Sequence, residues 1–494
     1  MGKGRFRINP GAVVLGLLAS FAGMGSLPAA AEEAPAEASR RTDPLLAGLA
    51  NPRSVVREAA ALALGKAGDR RAVDPLLHAL GDPVDGVRNN AAAALEALGE
   101  PLGRLIHASL VPTGKEGERR AEEARKELAG RKDPRALAAV TRALGAWDMY
   151  VRIEAARTLG ALGDPGAVEP LIRAMTGRDK PVREAAAWAL HGIGDARAAA
   201  PMIRALGDNY EAVRAAAAYT LGKLRDPRAA GPLAAALLDP DAGVREASAY
   251  ALGSIGDAEA VGPLLGVLMD PREKVRAAAA WSLGKLRDRG AVGPLVALLG
   301  DPVPGVRAAA AFALGELGDR RAVDPLVASL GDDASAVREG AAAALEAFGM
   351  PVGRRIAAAL GGSREAMAEL AREKDPSFVG PLVRALQNPD GGVRRAAARA
   401  LGAVGDPRAA DALADLAGGW NLADRLVALS ALLRLSRPVF PGFAGDALRV
   451  AARPASVAYL FGAACIAALA VLGWKRLRGR RRGFRPRGRG AAGI

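Results

Sequence analysis

The sequence contains very little cysteine, histidine or aromatic residue. Among 494 residues there is one cysteine, Cys465, and aromatic side chains make up 4%. A single cysteine cannot form an intrachain disulfide. So low an aromatic content, beside abundant alanine and leucine, favours close helix packing over a sheet-rich core. We therefore expect an all-α protein without intrachain disulfide bonds.

The histidines are His78, His107 and His191, and they lie far apart in the sequence. Metal centres and acid-base catalysis usually depend on histidine, and none of these three is followed by a glutamate. The sequence also has no glycine-rich phosphate loop, nucleophile elbow or cluster of residues at metal-ligand spacing. It thus predicts no catalytic residue, no metal site, no cofactor and a protein that is not an enzyme.

The positive charge of the chain is concentrated at its two ends. The formal net charge is +15, but three of the excess charges lie before residue 8 and nine lie after residue 474. The long region between them therefore has an excess of only three positive charges. Nucleic-acid binding by this region is not expected, because phosphate recognition needs a concentrated basic surface.

Residues 1–31 have the composition of a secretory signal peptide. Basic residues up to Arg7 precede an apolar run from Gly11 to Leu27, and alanines follow at positions 29–31. This order is typical of a cleavable signal, and cleavage after Ala31 would leave a short linker at residues 32–42. An uncleaved anchor is the alternative, because the apolar run is nearly long enough to span a bilayer.

A second apolar segment lies near the C-terminus. The stretch from Ala455 to Trp474 has no charged residue, and residues 475–494 contain nine basic and no acidic residues. About 20 apolar residues can cross a bilayer, and basic flanks usually remain in the cytoplasm. We expect a linker at 437–454, a transmembrane helix at 455–474 and a basic cytoplasmic tail at 475–494. The protein would be a single-pass protein of the cell membrane with an extracytoplasmic main domain.

Between the two ends the dipeptide Val-Arg recurs at a constant spacing. From Arg152 to Arg338 its arginines are 31 residues apart, and further copies lie at Arg57, Arg88 and Arg394. A strict period of this length is typical of a stack of one helical unit. We count about thirteen units over residues 43–436 and predict a right-handed α-solenoid, with irregular joints near residues 100–132 and 350–375.

Each unit has the pattern of a helical hairpin. Around Arg245, two apolar segments of helical period are separated by Pro240, which cannot continue a helix. The pattern predicts a short helix over residues 229–238 and a longer helix over residues 242–255. A recurrent glycine near the end of the longer helix would ease close packing or helix termination. The predicted core stripe of the longer helix is Val244, Ala247, Ala251, Leu252 and Ile255.

The consensus DxxVRxAAAxALGxxGDxxAVxPL resembles the HEAT-like repeats first associated with phycobilisome lyases, and the resemblance covers nearly all of residues 43–436. It implies a stack of HEAT-like hairpins that serves as a generic scaffold. It also implies an alternative function, a lyase-like or oxidoreductase-like factor related to phycobilin lyases. Deoxyhypusine hydroxylases, which also use HEAT repeats, hold iron through His-Glu pairs, and these pairs are absent here.

In eight units an aspartate follows the repeat arginine by twelve residues. A catalytic carboxylate would need one unit to differ from the others. The same residue at the same position in eight units instead favours helix capping and hydrogen bonds between repeats. We therefore interpret these residues as structural. They are Asp69, Asp164, Asp195, Asp226, Asp257, Asp288, Asp319 and Asp406.

Aromatic residues cluster in five consecutive units, five positions after the repeat arginine. The equivalent residues of other units include Arg157, Ala343 and Arg399. This position is offset from the core stripe of the longer helix, which lines the concave face of HEAT-like stacks. The rings could anchor a partner there, or they could pack on one another between helices. The five residues, here called the aromatic row, are Trp188, Tyr219, Tyr250, Trp281 and Phe312.

These patterns lead to one functional hypothesis. The protein is predicted to be a membrane-anchored extracytoplasmic scaffold whose aromatic row binds a protein or peptide partner, with an envelope glycan as a second kind of partner. Contact with the membrane would be made through the segment from Ala455 to Trp474. A bound chromophore or metal would instead indicate the lyase-like alternative.

Overall fold

The computed structural model describes residues 35–350, 352–373 and 375–436. Throughout these residues the regular structure is helical, and 26 α-helices form thirteen hairpins, in agreement with the predicted number of units. The described residues divide into two compact units, one up to residue 158 and one from residue 159 onward. The predicted all-α repeat architecture is confirmed.

The first unit contains helices α1 to α7 and most of α8. Their bounds are α1 Pro35–Gly48, α2 Ser54–Ala67, α3 Val73–Ala79, α4 Asp85–Ala97, α5 Pro101–Leu110, α6 Gly114–Arg131, α7 Pro134–Ala143 and α8 Met149–Leu162.

The second unit contains the end of α8 and the remaining helices, in which short helices alternate with longer ones. Their bounds are α9 Val168–Ala174, α10 Lys180–Ile193, α11 Ala199–Ala205, α12 Glu211–Leu224, α13 Ala230–Ala236, α14 Ala242–Ile255, α15 Val261–Gly266, α16 Glu273–Leu286, α17 Val292–Leu298, α18 Pro304–Leu317, α19 Val323–Ser329, α20 Ser335–Ala347, α21 Val352–Leu360, α22 Arg364–Glu373, α23 Val379–Ala385, α24 Gly391–Val404, α25 Ala410–Ala417 and α26 Leu422–Ser436.

The fold prediction needs one correction, because it included a transmembrane helix. Among the described residues, no helix is both long enough and apolar enough to cross a lipid bilayer. The longest of them, α6, has 18 residues and is densely charged, whereas a span of the hydrocarbon core needs about 20 apolar residues. The segment 455–474 that was predicted to span the membrane lies outside the described residues, as do the predicted signal peptide and basic tail.

The recurrent aspartates cap the start of the short helices, as the sequence predicted. Asp226 accepts a hydrogen bond from the backbone N–H of Arg228 at 2.9 Å and pairs with the guanidinium of the same residue at 2.6 Å. The capped segment is a 3-10 turn, Pro227–Ala229, that leads directly into α13. The α-helical part is therefore shorter than the predicted 229–238, whereas the longer helix α14 has the predicted bounds.

The core stripe of α14 is buried as predicted, with one exception. Val244, Ala247 and Leu252 are 0% exposed and Ala251 is 2% exposed, whereas Ile255 is half-buried near the helix end. The stripe is rich in alanine, and small side chains let neighbouring helices approach closely.

The recurrent glycine of the long helices marks the point of closest approach. A Cβ atom on Gly222 of α12 would lie 2.8 Å from the Cα of Ala251 in α14, a distance that requires one helix to move. Ending the helix is the role of a different residue, such as Gly256, which follows α14 with φ of +83°. The first of the two roles predicted for the recurrent glycine, close packing, is therefore the one that the structure shows.

The repeat arginine joins two successive repeats. Arg245 donates from Nε and Nη2 to the carboxylate of Asp270, 25 residues later, at 2.7 and 3.0 Å. Its Nη1 donates to the backbone carbonyl of Asp239 at 2.9 Å, and the carboxylate of Asp239 is bound by Arg214 in turn. The result is a continuous Arg-Asp chain. Its members are Arg183, Asp208, Arg214, Asp239, Arg245, Asp270, Arg276, Asp301, Arg307 and Asp332.

Burial and ion pairing shift the pKa of these carboxylates in opposite directions. Burial raises the pKa of Asp270, but the hydrogen bonds from Arg245 and from the backbone N–H of Arg272 outweigh it, so the pKa is lowered. The hydrogen bond to Asp270 raises the pKa of Arg245. Both partners are therefore charged at neutral pH.

The two divergent joints have the same construction, one in each unit. In the first unit, α3 packs on α7 past the hairpin α5–α6, and in the second unit α19 packs on α23 past α21–α22. Each inserted hairpin is thus displaced from the row of short helices. The irregular joints predicted from the sequence are confirmed.

We expect the protein to lose stability at acidic pH in two stages. Hydrogen bonds from arginine lower the pKa of Asp69, Asp195 and Asp319 to about 2. Because these folded-state values lie below those of the unfolded chain, the stability they contribute is present above about pH 4 and is lost as the pH falls toward 2. A separate decline should begin near pH 6.5, because burial lowers the pKa of all three histidines and the unfolded chain then binds protons first.

The measurement is the midpoint of thermal unfolding, followed by circular dichroism from pH 8 to pH 2. A midpoint that stays constant to pH 2 would show that the capping aspartates are not coupled to folding.

Candidate functional site

The aromatic row lies in the second unit, on five successive long helices. Its rings are carried by α10, α12, α14, α16 and α18, once in each repeat. Five residues after the arginine is about one and a half helical turns, which places each ring beside the core stripe rather than within it. Trp188 is 42% and Phe312 is 38% exposed, and the other three rings are half-buried.

The long helices occupy the inner side of this array of hairpins. Each of the long helices from α10 to α18 packs directly on the next, whereas successive short helices in the same region make marginal contact. The recurrent glycines also bring successive long helices close together, as Gly284 does against Ala313. Helices that approach each other more closely on one side of a layer make that side concave. The aromatic row therefore lies on the concave side within the second unit.

The rings pack on one another in two pairs. Trp188 and Tyr219 are stacked, with ring centroids 5.8 Å apart and an interplanar angle of 29°. Tyr250 and Trp281 meet edge to face, with centroids 5.5 Å apart and an angle of 62°. Both distances are typical of favourable aromatic pairs. Packing of the rings on one another, one of the two roles considered from the sequence, therefore occurs in both pairs. Binding of a partner, the other role, stays a prediction.

Charged groups surround the second pair. The ammonium group of Lys285 lies 5.6 Å from the ring centroid of Trp281 and 5.1 Å from that of Phe312, which are cation-π distances. Burial and the negative charge of Glu246 raise the pKa of Tyr250, so its hydroxyl stays protonated at neutral pH. The row therefore presents apolar rings with polar tips and an attached cation.

One histidine extends the row. His191 packs edge to face against Trp188, with centroids 5.5 Å apart and an angle of 77°. Its Nδ1 is buried without a hydrogen-bond partner, and burial with the charge of Lys223 lowers its pKa. In the sequence His191 is recognisable because it occupies the position that is glycine in the neighbouring units.

The other histidines lie elsewhere. His78 Nδ1 is 2.6 Å from the guanidinium of Arg142, and His107 Nε2 is 3.0 Å from the side-chain oxygen of Asn89. Within the described residues, no group of three or more histidine, cysteine, aspartate or glutamate side chains could hold a metal ion.

Sequence reasoning missed a set of cations beside the row. Lys223 and Arg225 at the end of α12, and Lys285 and Arg287 at the end of α16, are all exposed. The signal was present in the motif LGKLRD, which occurs in two alternate units of the aromatic block. We call these four residues the basic edge.

Within each unit, repeated helical hairpins that pack on their neighbours are typical of a helical-repeat scaffold. A family model for HEAT repeats matches the chain at residues 42–121, 118–191, 168–253, 199–272, 232–304, 261–346, 294–360 and 362–433. The chain therefore belongs to the HEAT-repeat family, whose members commonly bind other proteins.

Several solved structures are similar to the chain. The CpcE–CpcF complex of phycocyanin lyase from Nostoc sp. PCC7120 has a TM-score of 0.32 and 23% identity, over 50% of this chain and 92% of that chain. Human deoxyhypusine hydroxylase has a TM-score of 0.24 and 24% identity, over 52% and 99%. The Kap95:Nup1 complex has a TM-score of 0.39 and 13% identity, over 91% and 69%. No curated protein matches the chain.

Proposed function

We propose that this HEAT-repeat protein is a non-catalytic scaffold that binds a protein partner on its aromatic row. One observation supports this proposal above all: five partly exposed rings occupy one position of five consecutive repeats, where other repeats have residues such as Arg157 and Ala343. Repeat packing alone does not require the rings, because those other repeats stack without them.

The arrangement of the rings suits binding. An aromatic side chain contributes a large contact area and loses little conformational entropy when a partner covers it. Trp188 and Tyr219 restrict each other through stacking, and Tyr250 and Trp281 do the same. The rings therefore lose less side-chain conformational entropy when a partner binds. The lyase-like alternative is supported by the resemblance of the repeat motif alone.

The proposed location is outside the cytoplasm, supported by the signal-like composition of residues 1–31. N-terminal sequencing of the protein purified from its native cells should find Glu32 as the first residue. A mature protein that starts at Met1 would argue against this location.

Replacing Trp188, Tyr250 and Trp281 together by alanine should weaken partner binding by at least about 100-fold, because central aromatic residues dominate binding free energies. Helix content should be unchanged, since the core stripe is intact. The partner is first identified by crosslinking in native cells, and its binding to each purified variant is then measured by titration.

Trp420→Ala is the matched control, because Trp420 is fully exposed and lies outside the row. This variant should bind the partner normally. Equal binding by the triple variant would remove the aromatic row from the proposed function. Loss of helix content in the triple variant would show that the rings are part of the core.

A further inference from the structure

The basic edge is continuous with the aromatic row. Lys285 of the basic edge contacts the row directly, since its ammonium group lies over the rings of Trp281 and Phe312. Arg287, 70% exposed, lies beyond it. Lys223 and Arg225 take the same places two repeats earlier, at the end of the helix that carries Tyr219. Apolar rings and a line of cations thus occupy adjacent strips of the concave side.

Two of these cations have an unusual backbone conformation. Arg225 and Arg287 follow their helices with φ of +53° and +55°, a left-handed conformation that is unfavourable for residues with a Cβ. The alternate units, one between the two arginines and one on each side, have glycine at the same place, with φ between +65° and +83°: Gly194, Gly256 and Gly318. Arginine therefore occupies a position where glycine would be less strained, and strained residues often cluster at functional sites.

A structural role would be the competing explanation for the cations. Cations are favourable at helix C-termini because of the helix dipole, and Lys223 does bind the carbonyl oxygens of His191 and Gly192 at 2.5 and 3.0 Å. Replacing Arg225 and Arg287 by glycine should destabilise the fold if their charges stabilise the helix ends. If they contribute only to binding, the same replacement should stabilise the fold, because glycine relieves the left-handed strain.

The acidic groups around the row define where a negative partner group could lie. Glu316 is near Lys285 and Arg287, at 3.7 and 3.2 Å, and leaves the edge with a positive excess. Glu184 and Glu246 lie one helical turn before the rings of Trp188 and Tyr250, on the opposite side from the basic edge. A carboxylate is thus attracted to the edge and repelled from the other side of the rings.

We propose that the aromatic row and the basic edge together bind an extended, acidic segment of a protein partner. The inference rests on the proposed function and specifies the partner's chemistry. Apolar side chains of the segment contact the rings, and its carboxylates pair with the cations.

The spacing of the edge predicts the spacing of the acidic residues in the partner. Its two cation pairs are two repeats apart, roughly 16–20 Å at the usual distance between packed helices. An extended chain covers that distance in about five or six residues. Side chains of such a segment alternate between its two sides, so one side can carry the acids and the other the apolar groups.

A protein segment fits this surface better than an anionic glycan does. A sugar ring stacks on an open aromatic face, but Trp188 and Tyr219 stack on each other and Lys285 lies against Trp281 and Phe312. The row therefore offers ring edges and partly covered faces, which suit aliphatic and aromatic side chains.

The test uses the full chain and a fluorescein-labelled peptide with the sequence Glu-Leu-Ser-Phe-Ser-Leu-Glu. The peptide with glutamine in place of both glutamates is the matched ligand, and an alginate oligosaccharide is the glycan competitor. Binding is measured by fluorescence anisotropy with wild type, with Arg225→Gly/Arg287→Gly and with the triple ring variant. Thermal unfolding of each protein is recorded alongside.

We expect wild type to bind the glutamate peptide more tightly than the glutamine peptide by roughly tenfold, the effect of two exposed ion pairs. Arg225→Gly/Arg287→Gly should lose that preference while its unfolding midpoint rises by roughly 2–4 °C. The triple ring variant should bind neither peptide.

Three results would overturn the inference. These are equal binding of the two peptides by wild type, unchanged peptide binding by a less stable Arg225→Gly/Arg287→Gly variant, and displacement of the peptide by the oligosaccharide. The proposed function would survive any of them if the crosslinked partner still depended on the aromatic row. Loss of that dependence would instead refute the proposed function.

Discussion

Asp270→Ala is expected to lower the free energy of unfolding by about 3 kcal/mol, although it removes only one carboxylate. The carboxylate of Asp270 is 7% exposed and receives two hydrogen bonds from Arg245, which is itself 13% exposed. Without it, a largely buried guanidinium loses its charged partner, and the link between two successive repeats is broken. Urea denaturation followed by circular dichroism measures the change.

Asp257→Ala is the matched control for the link. Both aspartates accept a hydrogen bond from the backbone N–H two residues later, at 2.8 Å for Asp270 and 2.9 Å for Asp257. Of these two aspartates, only Asp270 belongs to the Arg-Asp chain. Asp257→Ala should therefore lower the free energy of unfolding by about 1 kcal/mol, the contribution of a helix cap. Equal losses in the two variants would show that the arginine link does not stabilise the array. Arg245→Leu added to Asp270→Ala should recover part of the loss, because no unpaired charge remains buried.

Gly284→Ala is expected to destabilise the protein by about 2 kcal/mol or more, even though alanine is the better helix former. A Cβ at this position would lie 2.7 Å from the Cα of Ala313 in the next long helix and 3.0 Å from its Cβ. The Cα of Ala313 is a backbone atom, so a change of side-chain rotamer cannot relieve the overlap. One long helix must therefore move away from the next, and the packing of their core stripes is disturbed.

Gly293→Ala is the control for helix propensity. Gly293 lies in the short helix α17, and a Cβ there would have no neighbour within 4 Å. This variant should keep its stability or gain up to about 1 kcal/mol. A Gly284→Ala variant as stable as the Gly293→Ala variant would contradict the close helix approach. Thermal and urea unfolding of both proteins decide the question.

The local structure of the repeats could be predicted because it depends on neighbouring residues. The bounds of α14 follow from Pro240 before it and from a helical apolar period, and the capping by Asp226 and its equivalents follows from a side chain that reaches an N–H two residues away. The identity of the aromatic row was also visible, since five rings at one repeat position stand out among alanines.

The short helix was less well predicted, because its first turn is a 3-10 turn. The sequence 227–236 has one continuous helical pattern, but Asp226 fixes the turn Pro227–Ala229 separately from α13. Helix propensity does not distinguish a 3-10 turn from an α-helical turn over three residues. The capping hydrogen bond of Asp226 determines which of the two forms.

The amino-acid sequence by itself determined the period, the hairpins, the caps and the position of the rings, because each of these is set within one repeat. Tertiary structure decided what happens between repeats: that Arg245 binds Asp270 in the next unit, that Gly284 contacts the backbone of Ala313, and that the rings form pairs beside a basic edge. The physical reason is distance. These contacts join residues about 25 to 31 positions apart, and they form when the stacking of whole helices brings those residues together.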